Sequence, residues 1–191
     1  MHDLLAQRGP FRTAEARAQG INARTLRAWV DTGLVAQIAR GWYQPTDTEV
    51  GDPDLIEIVT RSPRATICLT SALAQYDLVD DIPAAYDLAL PRGAHKPVLA
   101  TRVAWRSFDA ETFYLERRIE QVSGVAVPIY SPARSVVDAF RMRGYEGYET
   151  ATTALRRWLL RRGNQPSELL RIARQLPRAE GPLRTALEIL T

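Results

Sequence analysis

The chain is poor in the residues that usually signal metal or redox chemistry. It has one cysteine, Cys68, two histidines and a single lysine, Lys96, among 25 basic residues. So few soft ligands exclude a structural zinc site of the usual kind. Cys68, inside the apolar run ATICLT, reads as a buried core thiol rather than a nucleophile. A restriction-type nuclease needs clustered acids with a lysine close by to bind a metal and steady the attacking hydroxide. Lys96 has no acidic neighbour, and His95 beside it reads as a solvated loop residue. Asp80 and Asp81 are adjacent, so their side chains diverge in either regular structure. No glycine-rich phosphate loop ending in Lys and Ser or Thr occurs, and no serine or threonine shows spacing that indicates a base. The expectation is a protein without metal, cofactor or catalytic site. Also missing is any run of about 18 apolar residues, and the stretch MHDLLAQRGPFR lacks the apolar core of a signal peptide. The expectation is a cytoplasmic protein with no membrane partner.

What is present is an ordinary globular composition over 191 residues, 46% apolar and 25% charged, enough for one large domain or two small ones. The net charge of +3 hides a partition. Residues 1–46 carry six arginines against three acids, residues 47–130 eight bases against thirteen acids, and residues 131–191 eleven arginines against six acids. Basic character therefore sits at the two ends of the chain.

The first basic segment is organised around TAEARAQGINARTLRAWVDTGLVAQIARGWYQ, residues 13–44. Thr13 can cap a short helix, whose Ala14, Ala16 and Ala18 would allow another helix to cross closely. Gly20 supplies the turn, because it enters left-handed backbone space at no steric cost. Asn22 can cap a second helix with Leu26, Trp29, Val30 and Gly33 on one face. At about 100° per residue, Arg24, Thr25, Arg27 and Ala28 lie opposite. Two guanidinium groups among small neighbours suit a helix that enters a DNA groove. Two short apolar runs then flank Ala39-Arg40-Gly41, which reads as a hairpin with Arg40 at its tip, placed for a phosphate or a narrow minor groove. Leu4, Leu5 and Phe11 complete a small core, with the first helix ending at Arg8-Gly9-Pro10. The whole reads as a winged helix-turn-helix. A three-helix module that binds protein would share the packing without the basic face.

Residues 47–53 have linker composition, leaving 54–191 as a second domain. There DLIEIVTR has helical spacing, ATICLT reads as a strand, and Ser71 could cap the helix ALAQYDL. Three further strands are expected in AAYDLALP, VLATRVAWRSF and GVAVPIY. Ser131-Pro132 opens a helix, PARSVVDAFRMR. Helices then follow over roughly 147–162, 167–176 (capped by Ser167) and 181–190, making the fold class α+β. Trp29, Trp42, Trp105 and Trp158 read as packing residues rather than base-stacking platforms. In the helix of 147–162, Arg156, Arg157 and Arg161 point away from an apolar face and form a candidate second basic site.

Three ordered segments, the wing module, SALAQYDLVDDIPAAYDLALPRGAHKP and VPIYSPARSVVDAFR, resemble the AbiEi antitoxins of type IV toxin-antitoxin (abortive infection) systems. The resemblance implies a winged helix-turn-helix followed by a mixed α/β antitoxin domain that ends in a run of helices. It implies DNA contacts from Arg24, Thr25, Arg27 and Arg40. One small domain makes few phosphate contacts, so the expected target is inverted repeats in the protein's own promoter, with one winged domain per half-site. The resemblance further implies a nucleotidyltransferase toxin as functional partner, and a structural role for Ser131, Pro132, Arg134 and Asp138. The alternative function is a stand-alone winged-helix repressor with no toxin partner.

Overall fold

The structure, a computed structural model, describes residues 3–6, 10–47 and 51–190. The chain forms two compact units. The first comprises the residues up to Pro63 together with Glu120–Val127, and the second Arg64–Ile119 and Pro128 onwards.

In the first unit, α1 (Asp3–Ala6) leads to β1 (Phe11–Arg12), α2 (Thr13–Ala18), α3 (Ala23–Asp31), the hairpin β2 (Val35–Ala39) and β3 (Trp42–Pro45), and α4 (Pro53–Arg61). Arg8 and Gly9, expected to end α1, lie outside the described residues, as do 48–50 of the expected linker. Leu4, Phe11, Ala16, Ile21, Leu26 and Val35 form one buried cluster. Of the three small residues expected at the helix crossing, only Ala16 is buried; Ala14 and Ala18 are exposed, because alternate residues on a helix cannot share a face. Thr13 is the first residue of α2 rather than its cap. Arg12 takes that position, and its backbone N–H donates to Glu15 Oε2 at 2.6 Å. The sheet has the order β1-β3-β2; the two-residue strand β1, not expected from sequence, pairs Phe11 with Tyr43 and Arg12 with Trp42. The helix at Pro53–Arg61, placed by composition in the second domain, lies in this first unit.

The second unit holds β4 (Thr66–Ile67), α5 (Leu69–Gln75), β5 (Tyr86–Pro91) and β6 (Val103–Phe108), followed by β7 (Arg117–Val122) and β8 (Val125–Tyr130), whose connecting ends belong to the first unit. It closes with α6 (Pro132–Arg141), α7 (Arg143–Glu146), α8 (Tyr148–Leu159), α9 (Pro166–Ala173) and α10 (Glu180–Leu190). The mixed five-stranded sheet has the order β6-β5-β4-β8-β7, with β5 parallel to β6, and β4 parallel to β8 but antiparallel to β5. The interior strand β5 is buried over Asp87–Leu90, as strands covered on both faces are. The helices enclose a core that includes Leu73, Val136, Phe140, Leu155, Trp158 and Leu183.

The expected strand ATICLT is cut to two residues. Cys68 occupies the N-cap position, and Leu69, with φ +47°, turns the chain into α5. Ser71 therefore lies inside α5 rather than capping it, and its hydroxyl accepts a hydrogen bond from the Asp87 backbone N–H at 2.8 Å. Cys68 is fully buried, and burial pushes its thiol well above the usual range, consistent with an inert core residue. β7 is a strand that the hydrophobic pattern does not predict, and α9 begins at Pro166 with Gln165, not Ser167, at the N-cap. Among the described residues no helix is long and apolar enough to cross a membrane.

The VPIYSPARSVVD segment builds a buried polar knot. Ser131 Oγ accepts from the Arg134 backbone N–H at 3.2 Å, capping α6 with Pro132 at its first turn. Arg134 is fully buried. Its Nε donates to Asp138 Oδ2 at 2.8 Å, and Nη1 donates to the carbonyls of Thr112 and Leu115, both at 3.1 Å. Its guanidinium also stands 4.6 Å from the Tyr130 ring centroid, and Arg141 Nε approaches Asp138 Oδ1 at 3.0 Å. This knot joins α6 to the segment that precedes β7.

Candidate nucleic-acid interface

The turn between α2 and α3 is a Schellman motif. Ile21 N–H reaches back to Ala16 O at 2.9 Å and Gly20 N–H to Arg17 O at 3.0 Å, which needs the left-handed φ of +79° that Gly20 adopts. Asn22 then caps α3, its Oδ1 accepting from Thr25 N–H at 2.9 Å and from the Thr25 hydroxyl at 3.1 Å. Leu26 is buried, while Arg24, Arg27 and Ala28 are exposed. Leu26 inward fixes Arg24 and Arg27 outward, since all four positions ride on one rigid helix. Thr25 is half-buried. With its hydroxyl engaged by the cap, its methyl is the group left for an apolar contact.

The wing forms at the expected place. Ala39 pairs with Trp42, Gln37 with Tyr43, and a register irregularity lies between Gln37 and Ala39. Gly41 takes φ +78° at the two-residue loop, and Arg40 is exposed at its tip. The loop is anchored to the start of α2, because the Gly41 carbonyl accepts from Thr13 N–H at 3.0 Å and from the Thr13 hydroxyl at 3.3 Å.

Between α3 and the wing lies a cleft of about 460 Å³ bordered by Arg27, Asp31, Gln37 and Tyr43. Arg27 and the exposed Gln37 thus border one cleft, a pairing the sequence reading missed because strand alternation puts Gln37 on the face of buried Val35. Arg40 does not line this cleft and borders a separate groove against α4. Arg12 is internal: its guanidinium donates to Val59 O at 3.1 Å and lies 4.7 Å from the Trp42 ring. Arg17 adds a further exposed cation on α2.

These features coincide with a sequence match. Residues 2–46 match the model of a family described as "Transcriptional regulator, AbiEi antitoxin". The amino-terminal module is of the AbiEi type. Across 97% of the chain the fold is similar to the crystal structure of the RV2827C protein from Mycobacterium tuberculosis, with a TM-score of 0.53, 16% identity and 74% of that chain covered. No curated protein matches by sequence. The AbiEi match supports a role as a transcriptional regulator.

Away from the AbiEi-type module, the three arginines of the candidate second basic site differ in their surroundings. Arg157 is ion-paired with Asp80, whose carboxyl it holds below the usual range, and Arg161 donates to the Tyr76 carbonyl. The Arg156 side chain is exposed and makes no hydrogen bond or ion pair among the described residues. Two of the three thus have local partners, which a sequence pattern on one helix cannot reveal.

A second polar cluster lies around a cleft of about 530 Å³ between α5, β5, β6 and α7. Arg106 Nη2 donates to Asp87 Oδ1 at 2.6 Å and stacks 3.8 Å over the Tyr145 ring, while the Thr70 hydroxyl donates to Glu146. Burial pushes the Asp87 and Glu146 carboxyls above the usual range, Arg106 opposing it at Asp87 and the Thr70 hydroxyl at Glu146. Each carboxylate has its own partner, so the cluster reads as a clamp joining α5 and α7 to the sheet.

Proposed function

We propose that this protein is the antitoxin of a type IV toxin-antitoxin system. It represses its own operon at promoter inverted repeats and neutralises a nucleotidyltransferase toxin, in a phage-defence role. The observation that carries the reading is the Asn22-capped α3 with Arg24 and Arg27 exposed on one face, in a segment that matches the AbiEi antitoxin regulators. Arg24 and Arg27 read base edges, guanine being the best partner for a guanidinium fork. The Thr25 methyl meets a thymine methyl, and Arg40 holds the backbone or enters the minor groove. One small domain makes few phosphate contacts, so two copies on paired half-sites supply the affinity needed at physiological salt. The work is done in the cytoplasm, by binding alone. Exposed Arg156, with Arg157 and Arg161 beside it, serves a second acidic or polyanionic partner.

Two measurements test this reading. Gel-shift titration on the DNA upstream of the gene should give a steep transition on a fragment with both repeats and a weaker, shallower one on a single repeat. In cells poisoned by a nucleotidyltransferase toxin encoded beside this gene, coexpression of this protein should restore growth. No preference for the upstream fragment over random duplex ends the repressor assignment. DNA binding without growth rescue would leave a regulator with no toxin partner.

A further inference from the structure

Separate from the α3 cleft, β2 and α4 line a groove of about 460 Å³. Its walls are hydrocarbon: Ile38 and Ala39 from the hairpin, Pro53 and Ile56 from the helix. Two guanidinium side chains complete it. Arg61 is 53% exposed and already meets Glu57 at 3.3 Å, one helical turn away. Among the described residues, Arg40 makes no hydrogen bond, ion pair or ring contact, and Glu57 is the one acid that borders the groove. The lining therefore carries a surplus positive charge beside apolar walls. Its size falls within the roughly 300–1,000 Å³ of small-molecule sites, which are mostly apolar with a few placed polar groups.

We propose that this groove binds a small organic anion with an apolar body, a carboxylate whose hydrocarbon lies against Ile38, Pro53 and Ile56 and whose charge is met by Arg40. A neutral apolar molecule would leave Arg40 unmatched, and a compact inorganic anion would leave the walls wet. Because Arg40 is also the cation at the wing tip, an occupied groove takes it from DNA. That consequence alone rests on the proposed DNA reading.

The test uses the full chain with anilinonaphthalene sulfonate, an apolar aromatic anion that fluoresces on leaving water, displaced in turn by octanoate, octanamide and inorganic phosphate. Octanoate should displace the dye, octanamide should be about tenfold weaker, the value of one partly exposed charge contact, and phosphate should fail. Arg40→Gln should remove the preference for octanoate over octanamide. Thr60→Trp, at a half-buried position lining the groove, should abolish dye binding without shifting the melting temperature by more than a few degrees. Dye binding that survives Thr60→Trp, or an octanoate preference that survives Arg40→Gln, overturns the proposal. So does a groove filled by a second copy, seen as a dimer that Thr60→Trp dissociates and that binds no dye. Promoter affinity measured with and without octanoate is read separately. Displacement without any effect on DNA affinity would count against the use of Arg40 on DNA and leave the anion site standing.

Discussion

Replacing Arg134 by Met should be the most damaging conservative change in the second unit. Met fills much of the aliphatic volume, so cavity formation contributes little, and the loss is polar. Arg134 makes three hydrogen bonds, to Asp138 Oδ2 at 2.8 Å and to the carbonyls of Thr112 and Leu115 at 3.1 Å, and both ionic side chains are fully buried. Removing one partner of a buried pair costs about 3–5 kcal/mol, because the other charge stays behind. Asp138 keeps Arg141 at 3.0 Å, which pulls the estimate to the lower end, while the two orphaned carbonyls add roughly 1 kcal/mol each. A loss of about 5 kcal/mol follows, equivalent to roughly 15 °C in melting temperature at this chain length. Denaturant unfolding followed by tryptophan fluorescence reads it directly, since Trp158 is 1% exposed in the adjoining core. In a double-mutant cycle with Asp138→Asn, the coupling should reach about 1 kcal/mol or more. A cost below about 1 kcal/mol at unchanged m-value would mean that the pair contributes no more than a surface bridge.

Three further outcomes follow from the same geometry. Asn22→Ala removes the cap of α3 and the anchor of the Thr25 hydroxyl, and should destabilise the first unit by about 1 kcal/mol in thermal melting, while Asn22→Asp should not. The Glu146 carboxyl is held above the usual range by burial, so the folded chain binds that proton more tightly than the unfolded chain does. The resulting stabilisation is complete below about pH 4 and is lost as pH rises through the raised value. Glu146→Gln, which keeps an acceptor for Thr70, should therefore gain on the parent protein as pH rises above about 4 in unfolding titrations; a gap independent of pH would contradict the assignment. Arg156→Glu should impair growth rescue or cooperative operator binding with half-site affinity intact. It is a cleaner probe than a change at Arg157, which would also break the pair with Asp80.

The parts of the fold legible in the sequence are those written in local backbone chemistry. Asn22 as cap, Gly20 and Gly41 at positive φ, and Ser131-Pro132 at the start of α6 each act over a few residues, and each is found in place. What could not be read depends on distant partners. Phe11–Arg12 is a strand only because Trp42 and Tyr43 pair with it. RRIEQV at Arg117–Val122 lies at a sheet edge and lacks the alternation of a half-buried strand. The early end of ATICLT turns on left-handed Leu69, a conformation that a leucine does not advertise. In the candidate site, the outward arginines of α3 follow from helical period. The company of Gln37, the internal role of Arg12 and the pairing of Arg157 with Asp80 are set by tertiary packing.

The central claim, that α3 reads DNA sequence while the wing tip holds it without regard to sequence, is tested most directly by titrating Arg24→Ala, Arg27→Ala and Arg40→Ala against the upstream fragment and against random duplex at several salt concentrations. Each α3 variant should lose about 1–3 kcal/mol on the upstream fragment and much less on random DNA. Arg40→Ala should weaken both alike and lower the salt slope by about one. If Arg24→Ala and Arg27→Ala both keep the parent protein's preference for the upstream fragment, α3 is not the reading helix.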